Sequence, residues 1–431
     1  MFKSYDQDQL FLLPPSLREW LPGDHLAHFI SDVVDELDIQ EIEKVYSNTD
    51  RGQPPYHPVM MVKLLLYAYC IGIPSSRKIE QKTYDDIAFR FLAASDHPDH
   101  DTIAVFRKTH LTALRNLFLE ILVLCREAGL VKAGHISLDG TKIKANASKH
   151  KAMSYVRMSE KENTLKHEID ELLKKAERTD SEEDKRHDKE ENRIPEELAF
   201  RETRLKKIRE AKAVLEKRIR EEKKKDKSDP KDQINFTDSE SRIMKDSSTK
   251  EFIQGYNAQC AVDTLSQIIV AADVVQETND KKQTEPMTAR LQHNLKKSPK
   301  HLLAGAGYFS EDNISFLQKQ TIDAFIPPDR IRHTEKPRTA PRGKIPKNLS
   351  VKDRMRRLLM TKKGKNIYGK RKETVEPVFG QIKEIRGFRR FLLRGLEHVK
   401  AEWSIICMTH NLLKLYRWKL AKTRYALNYD R

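Results

Sequence analysis

Two acids and a lysine carry the clearest chemistry in this sequence. Asp139 stands in "HISLDGTKIKANAS", after a short apolar run and directly before Gly140. Glu376 and Lys383 stand in "TVEPVFGQIK", two helical turns apart and so on one helix face. Converging carboxylates suit hard divalent ions such as Mg2+, which prefer oxygen ligands. A pair of such ions about 4 Å apart can clamp the attacking and leaving oxygens of a phosphodiester. A lysine on the same face would meet a backbone phosphate. Taken singly, each signal has a plainer reading. Asp-Gly is a common hairpin turn, and a Glu/Lys face is an ordinary exposed salt-bridging surface. Pro377, next to Glu376, suits the first turn of a helix, which predicts a helix start there.

A third stretch, "LLAGAGYFSED" from Leu302 to Asp312, reads as a buried strand running into a turn and a helix. Its glycines do not make a phosphate loop. No Gly-Lys-Ser/Thr follows, and Ser310 stands where a GxGxxG pattern needs its last glycine. The stretch is a strand end without a carboxylate.

The elements around these residues fall into blocks. Residues 1–130 read as helical, with Pro58 in a first turn, Ser75 or Ser76 as a cap, and Gly129 closing a long amphipathic helix. Short basic helices of this kind fit a helix-turn-helix-like DNA-binding module or a plain helical packing domain. "DHPDHD", Asp96 to Asp101, reads as a turn with Asp101 or Thr102 capping the next helix, in preference to a metal site. At residue 131 the texture changes to a β-hairpin, His135–Leu138 and Thr141–Ala145 around an Asp139-Gly140 turn. Residues 150–232 interrupt it with a dense charge pattern that fits an antiparallel helical hairpin. Strands return in "FIQGYNAQCAVDTLSQIIVAADVV", then alternate with helices through "HLLAGAG" and "AFIPP". This is the pattern of a mixed α/β sheet. Residues 329–373 read as a basic, proline-bearing loop suited to lie along DNA.

Composition points the same way. The chain has 431 residues, 34% of them charged, and a formal net charge of +17. That excess favours a polyanionic partner, nucleic acid before membrane. No apolar run is long enough to span a bilayer, and the opening residues lack a secretory pattern. The four cysteines are far apart with no CxxC pair, which predicts buried reduced thiols in a cytosol.

In this order, "HISLDGTKIKANAS", "GYNAQCAVD", "AGAGYFS", "YGKRKETVEPVFGQIKEIRGFRRF" and "EWSIICMTHNLLKL" resemble the landmarks of bacterial insertion-sequence transposases of the DDE type. The resemblance covers essentially the whole chain and is most specific around Glu376. It implies an α/β ribonuclease-H-like mixed-sheet core (131–149 and 233–425), an all-α N-terminal domain (1–130) that binds DNA, and a charged helical insertion (150–232). It implies a DNA transposase that binds terminal inverted repeats and target DNA, uses Mg2+ or Mn2+, and acts as a homodimer or higher oligomer. Its expected place is the bacterial cytoplasm, at the nucleoid, with no membrane partner.

Residue by residue, the resemblance assigns Asp139 and Glu376 as catalytic metal ligands and Lys383 as the signature lysine that contacts DNA backbone. The signature arginine position, four before Glu376, holds Lys372 with Arg371 beside it, and Tyr368 lies one residue off the tyrosine position. These three join Lys383 as expected DNA contacts. Gly305 occupies the position of the second catalytic Asp. With one of three carboxylates gone, one metal loses an anchoring charge, which predicts impaired cleavage. The alternative is a catalytically inactive DNA-binding protein derived from a transposase. Asp273, Glu311 and Asp312 are the nearest acids by motif as substitutes, Asp273 first because its strand should neighbour this one.

Overall fold

The computed structural model describes residues 16–46, 54–182, 193–223, 232–246, 249–329, 343–346 and 348–429. The N-terminal part is helical throughout: α1 (Leu17–Trp20), α2 (Leu26–Glu36), α3 (Gln40–Glu43), α4 (Pro58–Cys70), α5 (Ser76–Asp85), α6 (Ile87–Leu92), α7 (His100–Thr109) and α8 (Leu111–Glu127). Pro58 stands in the first turn of α4 and Ser75 at the cap position of α5. Gly129 follows α8 with a φ of +77°, the left-handed value a helix-closing glycine takes. The cap of α7 is Asp99, whose carboxylate accepts the Thr102 N–H at 2.6 Å, and not Asp101 or Thr102. The histidines of that turn are engaged locally. His97 stacks on Tyr84, and His100 meets Glu80 at 2.8 Å.

β1 (His135–Lys144) is one unbroken strand. The expected hairpin turn at Asp139-Gly140 does not exist, and Asp139 lies mid-strand. Gly140 is there for closeness, not for turning. A Cβ on it would sit 2.2 Å from Gln259 Nε2 and 2.8 Å from Asp280 Oδ1.

After β1 comes a small antiparallel ladder, β2 (Ala152–Ser154) with β3 (Gln233–Asn235). It carries the helical hairpin α9 (Tyr155–Glu182) and α10 (Arg193–Lys223), as the charge pattern predicts. The hairpin has its own apolar seam, including Met158, Leu165, Leu215 and Ile219.

The main sheet then resumes with β4 (Arg242–Lys245), β5 (Phe252–Asp263) and β6 (Ile269–Val275). Helix α11 (Thr284–Leu295) leads to β7 (His301–Ala304), and α12 (Glu311–Lys319) to β8 (Asp323–Phe325). The strands order as β4-β5-β1-β7-β8, with β6 also pairing β5. β5 runs antiparallel to β1, and β7 and β8 run parallel to it. β6 pairs with β5 alone, yet it is buried on both faces between α15 and α11, which is why "IVAADVV" lacks alternation.

The C-terminal part is α13 (Val351–Met360), α14 (Lys362–Gly380), a π-helical turn Gln381–Ile385, and α15 (Leu396–Tyr429). The expected basic loop over 329–373 is therefore helix from Val351 onward, apart from the break at Thr361. Residues 330–342 and 347 lie outside the described residues. Pro377 sits inside α14 and not in its first turn. Its missing N–H would leave the Glu373 carbonyl unpaired, and Gln267 Nε2 donates to that carbonyl at 2.8 Å instead.

Helix α15 lies between the sheet and the N-terminal helices. Trp403, fully buried, donates from Nε1 to the Gln259 carbonyl at 3.1 Å. Asn411 closes the start of β6 through both the N–H and the carbonyl of Ile269, each at 2.8 Å. One continuous apolar core runs from Ala27 to Leu415 through both parts. All four cysteines are buried and free. No helix among the described residues is long and apolar enough to cross a membrane.

Candidate active site

Strand parity decides which side chains can meet. Asp139 pairs with Cys260 across β5, and Cys260 faces Cys407 on α15. Side chains directly opposite in a sheet share a face, so Asp139 faces the C-terminal helices. The parallel register between β1 and β7 ends at Leu138 and Ala304, which makes Asp139 and Gly305 the next neighbours.

Helix α14 packs on that face. Ile367, Arg371, Val375 and Val378 recur at helical spacing, and the three apolar ones are buried. Arg371 therefore emerges under the helix toward the strand ends. Its Nη2 meets Asp139 Oδ2 at 2.7 Å, with both side chains largely buried. The other Asp139 oxygen accepts the Gly140 N–H at 3.0 Å. A Cβ at Gly305 would lie 3.3 Å from the same Nη2 atom. Gly305 has φ −71° and ψ 167°, extended backbone open to any residue.

The electrostatics follow. Burial pushes the Asp139 carboxyl above its ordinary pKa; Arg371 and the Gly140 N–H oppose that only in part, and Asp280 adds to the rise. Burial also works against the charge of Arg371. Asp139, Tyr368 and Glu376 outweigh it and hold the guanidinium above its usual value.

The other expected residues divide. Tyr368 packs beside Arg371 against Leu303, Phe325 and Ile367. Burial raises its phenol, with the Arg371 charge opposing. Glu376 is exposed on α14, about 7–8 Å along the axis from Arg371, which stands between the two acids and feels both. Lys372 is exposed one turn before Glu376, on its face, and does not touch Asp139. Lys383 instead docks on β1 through the π-helical turn. Its ammonium donates to Thr141 Oγ1 at 3.1 Å and the Lys142 carbonyl at 3.3 Å. Thr141 shares the Asp139 face, so Lys383 borders the same site.

None of the expected substitute acids reaches it. Asp273 pairs with Gln259, on the opposite face from Cys260 and Asp139, and its carboxylate is bound by Arg290 at 2.8 Å. Glu311 and Asp312 are exposed in the first turn of α12. The acid that sequence reading missed is Asp280. It lies at the sheet end, where Asn257 and Gln259 donate to Oδ1 at 2.7 and 2.9 Å, with Lys142 at 3.6 Å. It is tied into that buried polar network on the face opposite Asp139. Nothing in "ETNDKKQTEP" marks it, because its partners all come from distant strands.

These donors do not fit a pair of divalent ions. Among the described residues there is no group of three Asp, Glu, His or Cys side chains that could hold a metal. Both oxygens of Asp139 already have partners, one of them a guanidinium.

The mixed sheet thus carries Asp139 on its central strand, faced by α14 with Arg371 and Glu376, and Gly305 follows the neighbouring strand β7. Residues 15–109 match the family described as "Transposase domain (DUF772)", and residues 229–412 match "Transposase DDE domain". The chain belongs to the insertion-sequence transposases of the DDE type. Comparison with curated proteins and with solved structures returned no match.

Proposed function

We propose that this transposase binds the ends of an insertion sequence and target DNA but is impaired in phosphodiester cleavage. The strand order, with β5 antiparallel and β7 and β8 parallel to β1, supports a ribonuclease-H-like core. The net charge of +17 supports a DNA partner. Joining two DNA ends calls for at least a dimer.

The observation that carries the impairment is the alignment of Gly305 with Asp139 around one atom of Arg371. An acid at 305 would put a second carboxylate beside Asp139 and draw the guanidinium from it. Glycine leaves Arg371 paired with Asp139 alone. A site built to anchor Mg2+ or Mn2+ through Asp139, Glu376 and a third acid loses stabilisation of several kcal/mol without that acid.

The test compares Mg2+- or Mn2+-dependent nicking of a terminal-repeat duplex by the chain as it stands and by Gly305→Asp. The backbone accepts Asp without strain, and the nearest contact is the end of a flexible arginine. The expected result is a gain on the order of a hundredfold or more for Gly305→Asp, abolished again by Asp139→Asn. Equal, robust cleavage by both chains would refute the impairment. DNA binding with no cleavage by either would favour the purely DNA-binding derivative.

A further inference from the structure

A second basic site flanks α14 away from Asp139. A cavity of about 550 Å³ is lined by Lys132, His135, Gln267, Lys370, Glu373 and Lys414, among others. Its floor is built, not incidental. Gln267 takes a left-handed φ of +61°, uncommon for a non-glycine residue. It is held on three sides. Its amide donates to the Glu373 carbonyl, His410 meets its own carbonyl at 2.9 Å, and the Lys414 ammonium donates to its Oε1 at 2.6 Å.

The charges do not balance within the cavity. Lys414 is half-buried, and its only hydrogen-bond partner among the described residues is that neutral amide. Burial, and then Arg417 nearby, push its pKa down, with no acid acting the other way. Lys370 and Lys132 add two more cations, and Lys300 and Lys370 both act on His135. Of the two lining acids, Asp263 is committed to backbone. Its oxygens accept the N–H groups of Lys132, Ala133 and Leu265 at 3.1, 2.7 and 2.8 Å. Asp263 and Glu373 together face three lysines, which leaves an excess of one positive charge.

We infer that this cavity binds a phosphate group of the DNA backbone through Lys370, Lys414 and Lys132. The inference rests on the DNA-binding reading above. Lys370 and Glu376 are six residues apart on one helix, about 9 Å along its axis. They also stand about 120° apart around the helix, so a strand that meets Glu376 has to bend round α14 to enter the cavity.

The experiment measures binding of a labelled duplex to the full chain by fluorescence anisotropy, as a function of salt. The proteins are the natural chain, Lys370→Gln/Lys414→Gln, Lys370→Arg/Lys414→Arg, and Lys319→Gln as an exposed control on α12. Circular dichroism checks each fold. The Gln pair should weaken binding by roughly 5–10-fold at 0.1 M salt and flatten the log–log salt slope by about 1. The Arg pair and the control should match the natural chain. A Gln pair that folds and keeps the full slope overturns the inference. So does millimolar inorganic phosphate that displaces DNA from the Gln pair as well as from the natural chain at matched ionic strength. A natural chain that ignores DNA at low salt overturns the DNA-binding reading itself, a separate result.

Discussion

Gly140→Ala should destabilise the protein, although alanine is the better strand residue. The new Cβ would sit 2.2 Å from Gln259 Nε2, 2.8 Å from Asp280 Oδ1 and 2.9 Å from Asn257 Oδ1. Relief needs a movement of more than 1 Å, and Gln259 is not free to move. Its Nε2 donates to Asn257 at 3.0 Å and to Asp280 at 2.9 Å, and its Oε1 accepts the Tyr308 hydroxyl at 2.5 Å. Overpacking of this kind costs about 1–3 kcal/mol. Each buried hydrogen bond lost adds roughly 1 kcal/mol, and the entropy gained by replacing glycine returns about 0.5–1 kcal/mol. The net loss is about 2–3 kcal/mol. Gly369→Ala is the control of opposite sign. Gly369 is exposed inside α14 with nothing within 4 Å of its Cβ direction, so alanine should stabilise by about 0.5–1 kcal/mol. Urea unfolding followed by circular dichroism reads both as shifts of the midpoint. If Gly140→Ala unfolds at or above the natural midpoint, the close approach is not what selects glycine there.

Two further outcomes follow from the same region. Gln267→Ala removes the only donor among the described residues to the Glu373 carbonyl that Pro377 leaves bare, and should cost about 1–3 kcal/mol; Gln267→Glu, which cannot donate from its side chain, should not rescue it in thermal unfolding. Burial pushes His410 down to about 3, the Gln267 carbonyl opposing. A depressed folded pKa means the unfolded chain binds the proton first, so the stability this group contributes is present above pH 6.5 and is lost as pH falls toward 3. His410→Gln should therefore show a smaller drop in unfolding temperature between pH 7 and pH 4.5 than the natural chain does; an identical drop would remove His410 as a cause.

The order of elements from β5 to β8 and the charged hairpin were legible in sequence because periodicity is a local signal. The errors fall where a distant residue answers a local rule. Asp139-Gly140 looks like a turn until Gln259 and Asp280 explain the glycine. Pro377 looks like a helix start until Gln267, 106 residues earlier than Glu373, fills the gap in the ladder. Motif spacing gave Lys372 the arginine's place, whereas the buried stripe of α14 brings Arg371 to Asp139. Asp273 was the favoured substitute acid because its strand lies nearby, yet strand parity turns it to the other face. Adjacency is readable from sequence order, but parity requires the register.

A buried cation ties the helical N-terminal part to the C-terminal part. Arg386, just past the π-helical turn, is fully buried with no carboxylate partner among the described residues. Burial pushes its pKa down to about 10, so it remains a cation at neutral pH. A buried charge is tolerated only where its donors are satisfied. The acceptors come from both halves of the chain: the Tyr69 carbonyl at the end of α4, twice, at 3.0 and 3.2 Å, and the Ile406 carbonyl at 3.1 Å with Thr409 Oγ1 on α15. Gly72, with φ +79°, lets the turn after α4 press on the Arg386 backbone, where a Cβ would lie 2.5 Å from the carbonyl oxygen. Parting the halves would strand this guanidinium and open the apolar core they share. The N-terminal helices and the sheet are thus one packed body.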